Sequence, residues 1–142
     1  RVLEANSLVH GLAALLAYNP FISLENNLAS MRTALARTVS LAISLKTGTN
    51  CSRDTTTPTD IFVLSIDGTE IDFDTNISSL LQRIIMTHST GKSPILTLFS
   101  GKHVCEEEAT ALVATLHSFA PNLSIELLSG GQEQPCYLAS LE

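Results

Sequence analysis

Apolar positions along the chain follow two rhythms. A helical spacing, with apolar residues three or four apart, marks four stretches. Leu8, Leu12, Leu15 and Leu16 share one face of a helix over Ser7 to Tyr18, which Asn19-Pro20 stops. Leu24, Leu28, Met31 and Leu35 form the apolar stripe of the next, and Ser23 is its N-cap, because a serine hydroxyl can accept an orphan backbone N–H. Ile77, Leu80, Leu81, Ile84 and Ile85 line the inner face of a third helix over Asn76 to His88. The fourth runs from Glu106 to Phe119 and opens with three glutamates, which suit the positive end of a helix dipole.

The second rhythm is alternation. Val39, Leu41, Ile43 and Leu45 are separated by Ser40, Ala42 and Ser44, and this period of two favours a strand over a helix continuing to Lys46. Ile61 to Ile66, Thr69 to Phe73, Pro94 to Phe99, Leu123 to Leu128 and Tyr137 to Leu141 are further strands, and Val2 to Ala5 reads as the end of another. Asp67-Gly68 is a two-residue hairpin signal. Gly130-Gly131, before Pro135, predicts a turn and a hairpin-like close.

From Ile61 the order is β-β-α-β-α-β-β. The fold class expected is α/β: a mixed, partly parallel β-sheet covered by helices, closing with a terminal β-strand pair. Residues 1–22 read as the end of a preceding βα unit and 23–142 as a carboxy-terminal α/β domain, with a polar loop rich in Thr, Ser, Asn and Asp at 47–60 that is expected to be mobile. The chain starts at Arg1 with a strand-like pair directly after it, as a piece of a longer polypeptide would.

Charge narrows the function classes. Arg1 to Arg53 carries a net +3 and Asp54 to Glu142 a net −9, giving −6 in all. An acidic chain lacks the electrostatic footprint of a nucleic-acid binder and is repelled by an anionic membrane surface. No apolar stretch reaches the length of a membrane span. Tryptophan is absent and aromatics are few, so aliphatic side chains must fill the core. Three widely spaced cysteines, Cys51, Cys105 and Cys136, argue against a disulfide framework and for a reducing cytoplasm.

Three segments together resemble one bacterial family. They are Gly11-Leu-Ala-Ala-Leu-Leu-Ala-Tyr-Asn-Pro20, then Ile95-Leu-Thr-Leu-Phe-Ser-Gly101 with Val104 and Glu106 to Ala109, then Gly130-Gly-Gln132 with Pro135, Tyr137-Leu138 and Leu141-Glu142. In order and spacing the chain is similar to the carboxy-terminal region of the kinase subunit of bacterial fatty acid kinase, a dihydroxyacetone-kinase-like family that partners DegV-type proteins. The resemblance implies a non-catalytic docking domain. ATP and magnesium would sit on an upstream kinase domain, a middle domain would follow, and a separate fatty-acid-binding subunit would present its acyl carboxylate for phosphorylation. Alternatives are a domain that binds a small acyl ligand itself, in a deep apolar cavity between the helices Asn76 to His88 and Glu106 to Phe119, or part of a glycerone (dihydroxyacetone) kinase. The family's Val-Thr-x-Ala-Val-Arg-Asp-Thr strand is split here between Val39 to Ile43 and Arg53-Asp54-Thr55, so no role is carried onto Arg53 or Asp54. Homodimerisation is left open.

The candidate docking positions are Gly101, Lys102 and His103 in the first turn and Gly130, Gly131 and Gln132 in the second. No catalytic, cofactor-binding or metal-binding residue is assigned within the chain. Gly130-Gly131-Gln132 is also the tripeptide of release factors, but in an acidic chain and between two strands it reads as a structural turn. Cys105 precedes a helix, where a dipole can activate a thiol, yet three glutamates surround it. His103 and Cys105, with His88, lack the paired spacing of a zinc site. His10 and His117 read as surface or half-buried helix residues. Asp67, Glu70, Asp72 and Asp74 crowd one hairpin and read as a solvated turn rather than a cation patch.

Overall fold

The computed structural model describes residues 2–46, 60–89 and 93–142. Two helices come first, α1 (Leu8–Leu16) and α2 (Leu24–Arg37), followed by β1 (Val39–Leu45), β2 (Phe62–Ile66) and β3 (Thr69–Asp74). Then come α3 (Ile77–His88), β4 (Ile95–Ser100), α4 (Glu106–Phe119), β5 (Ser124–Ser129) and β6 (Tyr137–Leu141). The order from β2 onward is the expected one, and the alternating segment Val39–Leu45 is a strand. Residues 2–5 carry no strand, contrary to the reading of Val2 to Ala5. Of the polar loop at 47–60, only Asp60 lies within the described residues.

Local signals account for the element ends. The Ser7 hydroxyl accepts a hydrogen bond from the His10 N–H at 3.1 Å, and the Ser23 hydroxyl accepts one from Asn26 at 3.3 Å. Asn76 caps α3 by accepting from the Ser78 N–H at 2.9 Å. Cys105 offers α4 no such bond, so the three glutamates of its first turn are left to complement the dipole. At the β2–β3 hairpin, Asp67 (φ 50°) and Gly68 (φ 85°) are both left-handed, as a two-residue turn matched to strand twist requires.

Among the described residues the sheet has six strands in the order β3-β2-β1-β6-β4-β5. Only β4 and β5 are parallel, joined by the crossover through α4; the other neighbours are antiparallel. The sheet is therefore mixed and partly parallel, as expected. The two final strands close the chain, but they are not ladder partners. β6 runs between β1 and β4, pairing Leu41 with Ala139 and Leu98 with Ala139 across its two edges. A hairpin between β5 and β6 is thus replaced by a loop that passes over the end of β4.

Alternate residues of the strands meet α3 and α4 in one apolar core. Leu41, Ile43, Leu64, Leu96, Leu98, Ala139 and Leu141 pack there with Leu80, Leu81, Ile84 and Ile85 of α3 and Leu112 and Leu116 of α4. The apolar stripe of α3 therefore faces inward as the spacing predicts.

The first helix does not. In α1 the buried residues are Val9, His10, Ala13 and Ala14, whereas the shared face of Leu8, Leu12, Leu15 and Leu16 points outward, with Leu16 87% exposed. The helix touches β6 and β1 and packs mainly on α2. Its buried residues are absent from the main core, so it lies on the other side of the sheet. That side of β1 and β6 carries Ser40, Ala42, Leu138 and Ser140. His10 is buried rather than half-exposed. Its Nε2 lies 2.9 Å from the Thr38 carbonyl oxygen and 3.6 Å from Asp67 Oδ1, which fastens α1 to the start of β1 and to the hairpin turn. On α2 the stripe holds in part: Leu28 is buried, Met31 and Leu35 are half-buried, and Leu24 is exposed.

Candidate docking surface

The six candidate docking positions come from two segments some thirty residues apart. They meet at the carboxy-terminal end of β4. Because β6 lies on one side of β4 and β5 on the other, the chain from Gly130 to Cys136 must arch over Ser100 and Gly101. The Ser100 carbonyl accepts from the N–H groups of Gly130 (2.9 Å) and Gly131 (3.3 Å). The Gly101 N–H donates to the Cys136 carbonyl, and the Lys102 N–H to the Gln132 carbonyl, both at 2.8 Å. The Gln134–Pro135 peptide in the arch is cis.

Glycine is needed here for two reasons. At Gly101 a Cβ would stand 3.0 Å from each of three backbone carbonyl oxygens, those of Gln132, Pro135 and Cys136. At Gly131 the requirement is conformational, since its φ of +68° is left-handed. At Gly130 a Cβ would collide with the Gln132 side chain and approach Phe99 Cβ.

The six residues divide by role. Gly101 is buried, and the Gln132 amide turns inward to donate to the carbonyls of Phe99 (3.0 Å) and Pro135 (3.4 Å). These two build the arch. An inward-turned amide also supports reading the glycine-glycine-glutamine run as structure. Lys102, Gly130 and Gly131 face solvent, and His103 is half-buried.

Glu133, which sequence reasoning missed, joins the two turns from the outside. Its carboxylate takes Lys102 Nζ at 2.7 Å and His103 Nε2 at 2.8 Å. Hydrogen bonds first from Lys102 and then from His103 hold this carboxyl below the usual glutamate range. The same contact raises the Lys102 ammonium. Both groups are thus charged at neutral pH. No local signal could have found the pairing, because Glu133 meets its partners only through the fold.

Beside the arch, a half-open cleft of about 480 Å3 lies between the first turn of α3 and the first three turns of α4. Ile77, Val104, Ala111 and Leu112 give it apolar walls, and Asn76 and Tyr137 polar ones. Burial, then the charge of Glu108, raises the Tyr137 hydroxyl well above its ordinary value, so it stays protonated.

The acidic hairpin resolves into separate pairs. Arg83 on α3 donates to Asp72 Oδ2 (2.7 Å) and Asp74 Oδ2 (2.9 Å), while Lys46 lies 3.8 Å from Glu70 and His10 near Asp67. Among the described residues, no group of three or more histidines, cysteines and carboxylates is placed to hold a metal ion. Cys105 is free. Cys136 is disulfide-bonded, which corrects the expectation of unpaired cysteines and removes the cysteine argument for a reducing compartment. No helix among the described residues is long and apolar enough to cross a membrane.

Comparison with known proteins decides the family. The sequence model for the C-terminal region of FakA-like fatty acid kinase subunits matches residues 1–142. The chain belongs to this family. It is also similar to the uncharacterized protein SH1689 of Staphylococcus haemolyticus (strain JCSC1435), with 31% identity over 157 residues that take in 99% of the chain and 26% of the relative. This FakA-like C-terminal region therefore spans about a quarter of the relative it matches.

Proposed function

We propose that this chain is the non-catalytic carboxy-terminal docking domain of a fatty acid kinase subunit. On this reading it holds a separate fatty-acid-binding protein so that the acyl carboxylate reaches ATP and magnesium on an upstream domain of the same polypeptide, in the cytoplasm. Holding two reactants in register can supply a large share of a rate enhancement. The observation that carries the reading is the arch: two turns from distant parts of the sequence form one rigid surface, with Lys102 and Glu133 displayed outward. A rim of exposed charge on a fixed backbone suits recognition of a protein partner.

The test is calorimetric titration of the full-length kinase protein with its fatty-acid-binding protein, with and without bound fatty acid and without ATP. Saturable binding, weakened about tenfold or more by Lys102→Glu with the thermal transition unmoved, is expected. Gln132→Ala serves as the contrast: it removes the amide that ties the arch to Phe99, so it should lower stability by about 0.5–1.5 kcal/mol. Undiminished binding by Lys102→Glu would place docking elsewhere.

A second reading rests on the cleft between α3 and α4, whose apolar walls would suit a short acyl chain. Binding of free fatty acid by the full-length kinase protein without its partner, lost in Ala111→Trp, would favour it over docking.

A further inference from the structure

Large hydrophobic side chains are exposed at 15 positions among the described residues, and nine of these lie between Val2 and Leu24. They are not scattered. Leu8, Leu12, Leu15 and Leu16 line the outer side of α1, and Phe21 (93% exposed) and Leu24 continue the patch into the start of α2. Soluble proteins rarely leave so continuous an apolar surface uncovered unless it is a contact site. Helix α1 has no charged residue (its one histidine, His10, is buried), and it is apolar on both sides: Val9, Ala13 and Ala14 are buried while the leucines are exposed. A helix that is hydrophobic all round is one that is covered all round.

From Val2 to Leu24 the only carboxylate or cationic side chain is Glu4. The occupant is therefore an apolar surface rather than a charged one. Two observations say which. The family region is carboxy-terminal, and the chain makes up 26% of the relative it matches, so most of such a protein precedes this region. Val2, six residues before α1, is likewise exposed, at 86%.

We infer that the outer face of α1 and the start of α2 are the seat for the polypeptide that precedes this region in the full-length protein. The seat joins the docking domain to the upstream part as one packed body rather than by a free tether. This inference stands apart from the docking reading, since the arch and the helix pair use different residues.

The experiment uses the full-length protein without its partner. Single cysteines are placed by Leu16→Cys, Phe21→Cys and, as an exposed reference on α4, Ala114→Cys. Maleimide labelling of each site is followed by peptide mass spectrometry, and size-exclusion chromatography gives the oligomeric state. The cysteines at positions 16 and 21 are expected to react at least about tenfold more slowly than that at 114, at every protein concentration. A photo-crosslinker at position 16 is expected to capture upstream residues of the same molecule. Equal rates at the three sites would overturn the inference. So would protection that appears only as the concentration rises, or crosslinks between molecules, either of which would assign the face to a second copy.

Discussion

Gly101 shows how much one missing side chain can decide. Three carbonyl oxygens converge where its Cβ would be, and all three are backbone atoms of an arch that is itself hydrogen-bonded to Ser100 and Lys102. Backbone held in this way cannot step aside as the end of a flexible side chain can. Gly101→Ala should therefore destabilise the domain by about 1–3 kcal/mol, in the range of other overpacking substitutions. Urea unfolding followed by circular dichroism measures it, and an unchanged midpoint would mean that the arch relaxes freely. Gly131 differs: no atom lies within 4 Å of its Cβ position, and the cost of a side chain there comes only from its positive φ.

At the scale of elements, the clearest case is the staple between α3 and β3. Arg83 reaches two aspartates on the strand and holds both carboxyls below the ordinary aspartate range, chiefly through its hydrogen bonds. A depressed carboxyl stabilises the fold above its unfolded pKa, and the contribution is lost as pH falls through the lower, folded value. Arg83→Met should thus lower the urea midpoint at pH 7. The gap between variant and native protein should close as pH falls below about 4, where the aspartates take up protons. A gap of constant size as the carboxyls protonate would show that the lost packing of Arg83, not its charge, was responsible. The exposure of these groups makes the effect small and sensitive to salt.

Across the whole molecule, β6 is the strand on which the architecture turns. It is last in sequence and third from one edge in space, and it alone joins the antiparallel half made by β1, β2 and β3 to the β4–β5 pair. Tyr137, Ala139 and Leu141 on it are nearly fully buried in the main core. Removing residues 137–142 should therefore abolish cooperative unfolding rather than fray one edge. Thermal scanning of the truncated chain would show it, and a surviving sharp transition would contradict this account. The arch depends on the same arrangement. A β5–β6 hairpin would leave the end of β4 bare and would part Lys102 and His103 from Glu133.

Much of this was legible in the residues. Helix α4 begins and ends where its pattern does, Ser7, Ser23 and Asn76 cap as side chains of their type should, and Asp67-Gly68 makes its turn. These signals act over a few residues, so a linear sequence contains them whole. The period of α1 likewise showed that four leucines share a face, but a period cannot say which face finds the sheet. The buried side is that of Val9, His10, Ala13 and Ala14. The insertion of β6 between β1 and β4, the pairing of Glu133 with Lys102 and His103, and the burial of His10 likewise depend on residues up to a hundred positions apart. Apart from the strand expected at Val2 to Ala5, sequence by itself determined the elements, their order and the family they belong to. Tertiary structure alone decided strand order, the outward turn of the leucines and the closing of the arch, because each is a choice among distant surfaces that only packing can compare.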